Sequence, residues 1–197
     1  QEAMKRSISD QVQHKHWKVR ENGYTQLSSQ FAQTLQISDE NAVRELVGKY
    51  ASLIPKFVRD ANAAAQLAGL QCALSLANMA GNDIIQRETI RTHTSRENAV
   101  EMSSLLPYGS ELIKAAQEIG AAIVDKVLNA RPANKQKGTE VVHEFVFSEC
   151  VDMILEPVYA QGLASKQPKV VEAAATLLRD TIVQFGTQPF KPNCLKA

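Results

Sequence analysis

Few residues of this 197-residue chain could do covalent or metal chemistry: histidines at 14, 16, 93 and 143, and cysteines at 72, 150 and 194. His14 and His16 are two apart, which on a helix sends their rings in different directions, and His93 and His143 have no partner cluster in the sequence. No phosphate-binding glycine loop or nucleophile motif occurs. The cysteines are odd in number and far apart. Cys72 and Cys150 fall on apolar helical stretches, which reads as buried free thiols in a reducing compartment rather than a disulfide or a metal site. An enzyme finds little support here, and neither a cofactor nor a metal is expected.

The chemistry that remains is recognition. His14-Lys15-His16-Trp17-Lys18-Val19-Arg20 holds the only tryptophan, set among cations on a segment that reads as the turn between two helices. A buried tryptophan would have apolar neighbours, and one left in water would waste the largest apolar side chain. Its setting points to Trp17 as the anchor of a binding edge.

The elements that must position it are helical. The composition, 44% hydrophobic and 22% charged with only 6% aromatic, is that of a globular protein rich in Ala and Leu rather than a β-sandwich. The net charge of +1 names no partner, and no run of about 18 apolar residues suggests a membrane span. No signal peptide leads the chain, so an intracellular protein is expected, and the start at Gln1 suggests a fragment of something longer.

Met4, Ile8 and Val12 predict a short amphipathic helix over residues 1–13. Val19, Tyr24, Leu27 and Phe31 form the next stripe, with Ser38 or Asp39 available as the following cap. Val43, Leu46, Val47, Tyr50, Ile54 and Phe57 repeat at i, i+3, i+4, i+7, with Pro55 in the last turn, where it would bend the helix. Asp60 then offers oxygens to the first amides of a helix reaching Met79 and stopped at Gly81-Asn82-Asp83. Residues 82–109 read as an irregular insertion. Further stripes begin at Glu111, at Pro132 as a first helical residue, at Cys150, and at Pro168, the last ending at Gly186.

Turns at Trp17, Asp60, Arg131 and Lys166 are spaced by 43, 71 and 35 residues, the long gap holding the insertion. Helix pairs of roughly 40 residues are the period of HEAT-type arrays, in which each pair buries its apolar face only by stacking on the next. The expected fold is therefore all-α, a HEAT-repeat solenoid of about four antiparallel helix pairs over residues 1–197. In residues 13–20, 58–66, 129–137 and 165–170, nine Lys or Arg stand against one acid, Asp60, whereas the other 165 residues hold 13 bases and 20 acids. The turns concentrate positive charge that the net value hides. A generic HEAT scaffold for another protein is an alternative. A HEAT-like nucleic-acid module is another, although the basic clusters lack aromatic interleaving for stacking.

Trp17-Lys18-Val19-Arg20, Asp60-Ala61-Asn62 followed by Gln66, Arg131 with Lys135, and Lys166-Gln167-Pro168-Lys169 resemble the successive intra-repeat turns of a TOG domain. TOG domains are tubulin-binding HEAT modules found in arrays in microtubule polymerases and their CLASP relatives. The pattern is more similar to an early domain of the polymerase branch. The resemblance implies a single domain within a multi-TOG protein of the cytoplasm and cytoskeleton (microtubules, spindle, microtubule-organising centre, kinetochore), with αβ-tubulin as partner and neither nucleic acid nor membrane. It implies that Trp17, Lys18, Arg20, Arg59, Asn62, Ala63, Arg131, Lys135, Lys166 and Lys169 face tubulin, the first turns on β-tubulin and later ones on α-tubulin. It also implies about six repeats and a fifth binding turn, beyond the four pairs seen here.

Overall fold

In the computed structural model, which describes residues 2–37, 39–93, 109–148 and 150–187, no strand occurs among the described residues. A 3-10 turn at Glu2–Lys5 precedes α1 (Ile8–Gln11), followed by α2 (Trp17–Ile37), α3 (Glu40–Tyr50), α4 (Ile54–Val58) and α5 (Ala63–His93). After the break come α6 (Gly109–Ala122), α7 (Pro132–Phe147), α8 (Val151–Pro157) and α9 (Pro168–Phe185). Both α6 and α8 finish in a π turn, Ile123–Val127 and Val158–Gly162 respectively.

The helices stack in two layers. α2, α5 and α7 pack side by side in one layer; α4, α6 and α8 pack in the other. The core between them holds Leu27, Phe31, Ile54, Leu70, Leu76, Ile119, Ile123, Phe145 and Ile154, each nearly or wholly shielded from water. All but Leu76 are positions the sequence stripes mark, so the all-α solenoid of helix pairs follows from their period. Helices also approach closely at small residues, both between the layers and within one. A Cβ on Gly69 would lie 2.5 Å from the carbonyl oxygen of Phe57, and one on Gly120 2.5 Å from that of Ile154.

Local signals behave as their chemistry dictates. Asp39 caps α3, its Oδ1 accepting from the amides of Asn41 and Ala42 at 2.9 and 3.2 Å. Pro132 and Pro168 open α7 and α9. Gly186, at φ +72°, ends α9 in the left-handed region.

Three expectations change. Residues 1–13 form a 3-10 turn and a separate α1 rather than one helix, because the Ser7 hydroxyl accepts from the Asp10 amide and starts a new helix there. Met4 stays exposed. Pro55 does not kink the end of a long helix: the chain tightens to 3-10 at Ala51–Leu53 and begins α4 at Ile54, placing Pro55 in a first turn, where its missing N–H is harmless. Finally, α5 does not stop at Gly81-Asn82-Asp83 but continues to His93. One glycine costs a helix only about 1 kcal/mol, and no proline follows within those residues. The remainder of the expected insertion, residues 94–108, lies outside the described residues, as do Cys194 and the tail from 188.

Candidate interaction edge

The four turns 13–16, 59–62, 128–131 and 163–167 join the two layers, and side-chain bonds fasten the first three to one another. Arg20, on the first turn of α2, reaches the second turn: its Nε donates to Asp60 Oδ2 at 2.6 Å and its Nη2 to Asp60 Oδ1 at 2.8 Å. Its Nη1 donates to the carbonyls of His14 and Lys15 at 3.0 and 2.8 Å, so one guanidinium holds both turns. The Tyr24 hydroxyl adds a bond to Asp60 Oδ2 at 3.2 Å. Burial alone would raise the Asp60 carboxyl, but the Arg20 fork, the Asn62 amide and Tyr24 outweigh it and hold it below the usual carboxylate range. Burial and the adjoining Asp60 push the Tyr24 phenol up.

The expected cap is displaced by one position pair. Asp60 Oδ1 accepts from the Asn62 amide at 2.9 Å, and Asn62 Oδ1 accepts from Ala64 and Ala65 at 3.0 and 3.3 Å. Asn62 therefore caps α5, which leaves Asp60 free to receive Arg20. Arg20 finds its acid in the next helix pair.

A second tie joins the second and third turns. Asn134 Nδ2, on the first turn of α7, donates to the Ala63 carbonyl at 3.0 Å and to Gln66 Oε1 at 2.6 Å, while Gln66 Nε2 donates to the Val58 carbonyl at 3.0 Å. Asn134 was not legible as a site residue. Its only sequence signal is a position three residues after Arg131, at the start of a helix. Further along, an open groove crosses the last three turns, lined by Arg59, Lys126, Asn129, Gln161 and Gln167.

Trp17 is half-buried at the start of α2, with the Lys18 ammonium 5.6 Å from its ring centroid and the His16 ring stacked beside it at 6.3 Å. Among the described residues, Lys15, Lys18, Arg131, Lys135, Lys166 and Lys169 enter no ion pair, and all but the half-exposed Lys135 are exposed. Arg59 lies 3.7 Å from Asp125. Thus Arg20 and Asn62 hold the edge together, Ala63 lends it a carbonyl, and Trp17 and the cations that form no ion pair among the described residues stand half-exposed or exposed along it.

The family model described as "XMAP215/Dis1/CLASP, TOG domain" matches residues 2–197. A curated relative, "Protein mini spindles" of Drosophila melanogaster, is 26% identical over 186 residues, which cover 94% of this chain and 7% of the relative. The chain thus spans a small part of that protein's length. No solved structure matches.

Proposed function

Because the chain belongs to the TOG-domain family of XMAP215, Dis1 and CLASP, we propose that it binds αβ-tubulin heterodimers through its intra-repeat turns, as one module of a longer microtubule polymerase. The observation that carries this reading is the half-exposed Trp17 at the first turn, a turn that Arg20 ties to the second, with cations that form no ion pair among the described residues continuing along the later turns. A tryptophan on a turn fixed this way serves as an apolar anchor, since the backbone that carries it is already ordered before binding. Lys18, Arg59, Arg131, Lys135, Lys166 and Lys169 then meet an acidic protein surface, steering encounter more than adding affinity. The single domain acts as a monomer, at microtubules and the spindle, where it promotes growth by delivering tubulin.

Gel filtration of the chain with unpolymerised tubulin, wild type beside Trp17→Ala, tests the reading. Co-elution by the wild type, lost in a variant of unchanged melting temperature, is expected. Absence of co-elution by the folded wild type, or indifference to Trp17, overturns it.

A further inference from the structure

The first two turns are built on one plan with different chemistry. In the second, Asp60 Oδ1 accepts from the amide two residues on, and Asn62 Oδ1 accepts from the amide two residues beyond that. In the first, His14 Nδ1 accepts from the His16 amide at 3.0 Å and His16 Nδ1 accepts from the Lys18 amide at 3.3 Å. The fourth turn carries a single bond of this kind, Ser165 Oγ accepting from Gln167 at 3.2 Å. Side chains that bond the backbone two residues ahead normally fix a turn with Asx or Ser/Thr oxygens. Here two imidazoles take that part at the residues beside the lone tryptophan.

A backbone N–H can only donate, so both Nδ1 atoms must be bare and both rings neutral in this arrangement. Protonating either ring turns its acceptor into a donor and removes the bond. It also places positive charge at the amino end of the 21-residue α2, where the helix dipole disfavours cations. Lys15 and Lys18 share the turn, and Arg20 donates to the carbonyls of His14 and Lys15. Asp60, from the neighbouring turn, is engaged by Arg20, and Asp10, from α1, by Ser7. Among the described residues no carboxylate forms an ion pair with either ring.

We infer that His14 and His16 are positioning residues for Trp17 and that the first turn is a proton-sensitive clasp, closed when both imidazoles are neutral and loosened when either is charged. Charge on either imidazole removes an acceptor from this turn, whereas the Asp60–Asn62 turn is built on oxygen acceptors and holds no imidazole. The effect on a partner rests on the tubulin reading above, whereas the clasp itself does not.

The test compares the full chain with H14N/H16N, which supplies the same two acceptors without a titrating group. Amide hydrogen exchange of His16 and Lys18, corrected for intrinsic rate, is followed at pH 7.4 and 6.2, and tubulin affinity is measured at both. In the wild type, acidification is expected to lower the protection of these two amides and to weaken tubulin binding about fivefold, as the turn that positions Trp17 loosens and must be re-ordered on binding. In H14N/H16N both quantities are expected to hold, with the amides of Asn62 and Ala64 unchanged in either chain. Protection at His16 and Lys18 that ignores pH, or falls equally in the variant, overturns the inference while leaving the tubulin reading standing. PH-dependent protection with no tubulin binding at either pH supports the clasp and overturns the partner.

Discussion

Arg20 and Asp60, forty residues apart, meet as a two-pronged ion pair whose carboxylate side chain is only 3% exposed and whose guanidinium side chain is 20% exposed. Removing one partner of such a pair strands the other. Arg20→Ala is expected to cost about 3 kcal/mol in urea unfolding at neutral pH, well above the 0–1 kcal/mol of a surface pair. Because the folded Asp60 carboxyl sits below its unfolded value, its stabilisation is complete above about pH 4 and is lost as the pH falls toward the folded value. Asp60→Asn should lower stability at pH 7 and lack that acid-dependent loss, which unfolding curves at pH 7 and 3 will show.

Asn134 is the tie between the second and third turns. Asn134→Ala leaves the Ala63 carbonyl and the buried Gln66 amide oxygen each short of a donor. A loss of about 2 kcal/mol is expected from thermal unfolding, against a few tenths for a truncation at the exposed Gln136.

His143 lies between α7 and α9 with its ring edge-on to Phe185 at 5.5 Å, and its Nε2 has no hydrogen-bond partner among the described residues. Burial lowers its pKa, only partly opposed by Asp180. The unfolded chain therefore takes up a proton first, so stability falls as the pH drops below about 6.5 toward the folded value. Denaturant midpoints at pH 7.5 and 5.5 should fall less in His143→Gln than in the wild type.

Gly69 lets α5 approach α4. Gly69→Ala drives a methyl into the Phe57 backbone at 2.5 Å, and a backbone oxygen cannot swing away as a side chain can. A destabilisation of about 1–3 kcal/mol is expected by differential scanning calorimetry, in spite of alanine's better helix propensity.

Lys166→Ala with Lys169→Ala changes two exposed cations with no ion pair among the described residues. Stability should stay within about 0.5 kcal/mol. Stopped-flow association with tubulin should slow, with a shallower dependence on salt and little change in dissociation rate.

Much of the fold was legible because a helix writes its buried face into the sequence at a fixed period. Tyr24, Leu27, Phe31, Ile119, Ile123 and Phe145 are all buried as their spacing implies. Helix ends governed by one residue, such as Asp39, Pro132 and Gly186, were legible for the same reason. The failures share a cause. Gly81 and Pro55 have local preferences, but whether a helix continues or restarts depends on what packs against it, and that is decided far away in sequence. At the edge, Trp17 and the lysines announce themselves by type. Arg20, Asn62 and Asn134 do not, because their roles depend on partners that only the stacking of helix pairs brings within reach.

The π turns at the ends of α6 and α8 bear on how the later part of the edge is spaced. Arg131 and Lys166 each stand four residues past the end of their π turn. Each wide turn takes up one residue more than an α turn would, so it acts as a phase shifter between the buried stripe behind it and the charge ahead. The third and fourth turns thus both follow a wide turn of the same kind, Arg131 as the N-cap of α7 and Lys166 one residue before the N-cap of α9. Deleting one residue from either segment, for instance Lys126 or Gln161, would rotate the last helical residues by about 100° and change how the chain enters the turn that carries the cation, while leaving the composition of the edge almost unaltered.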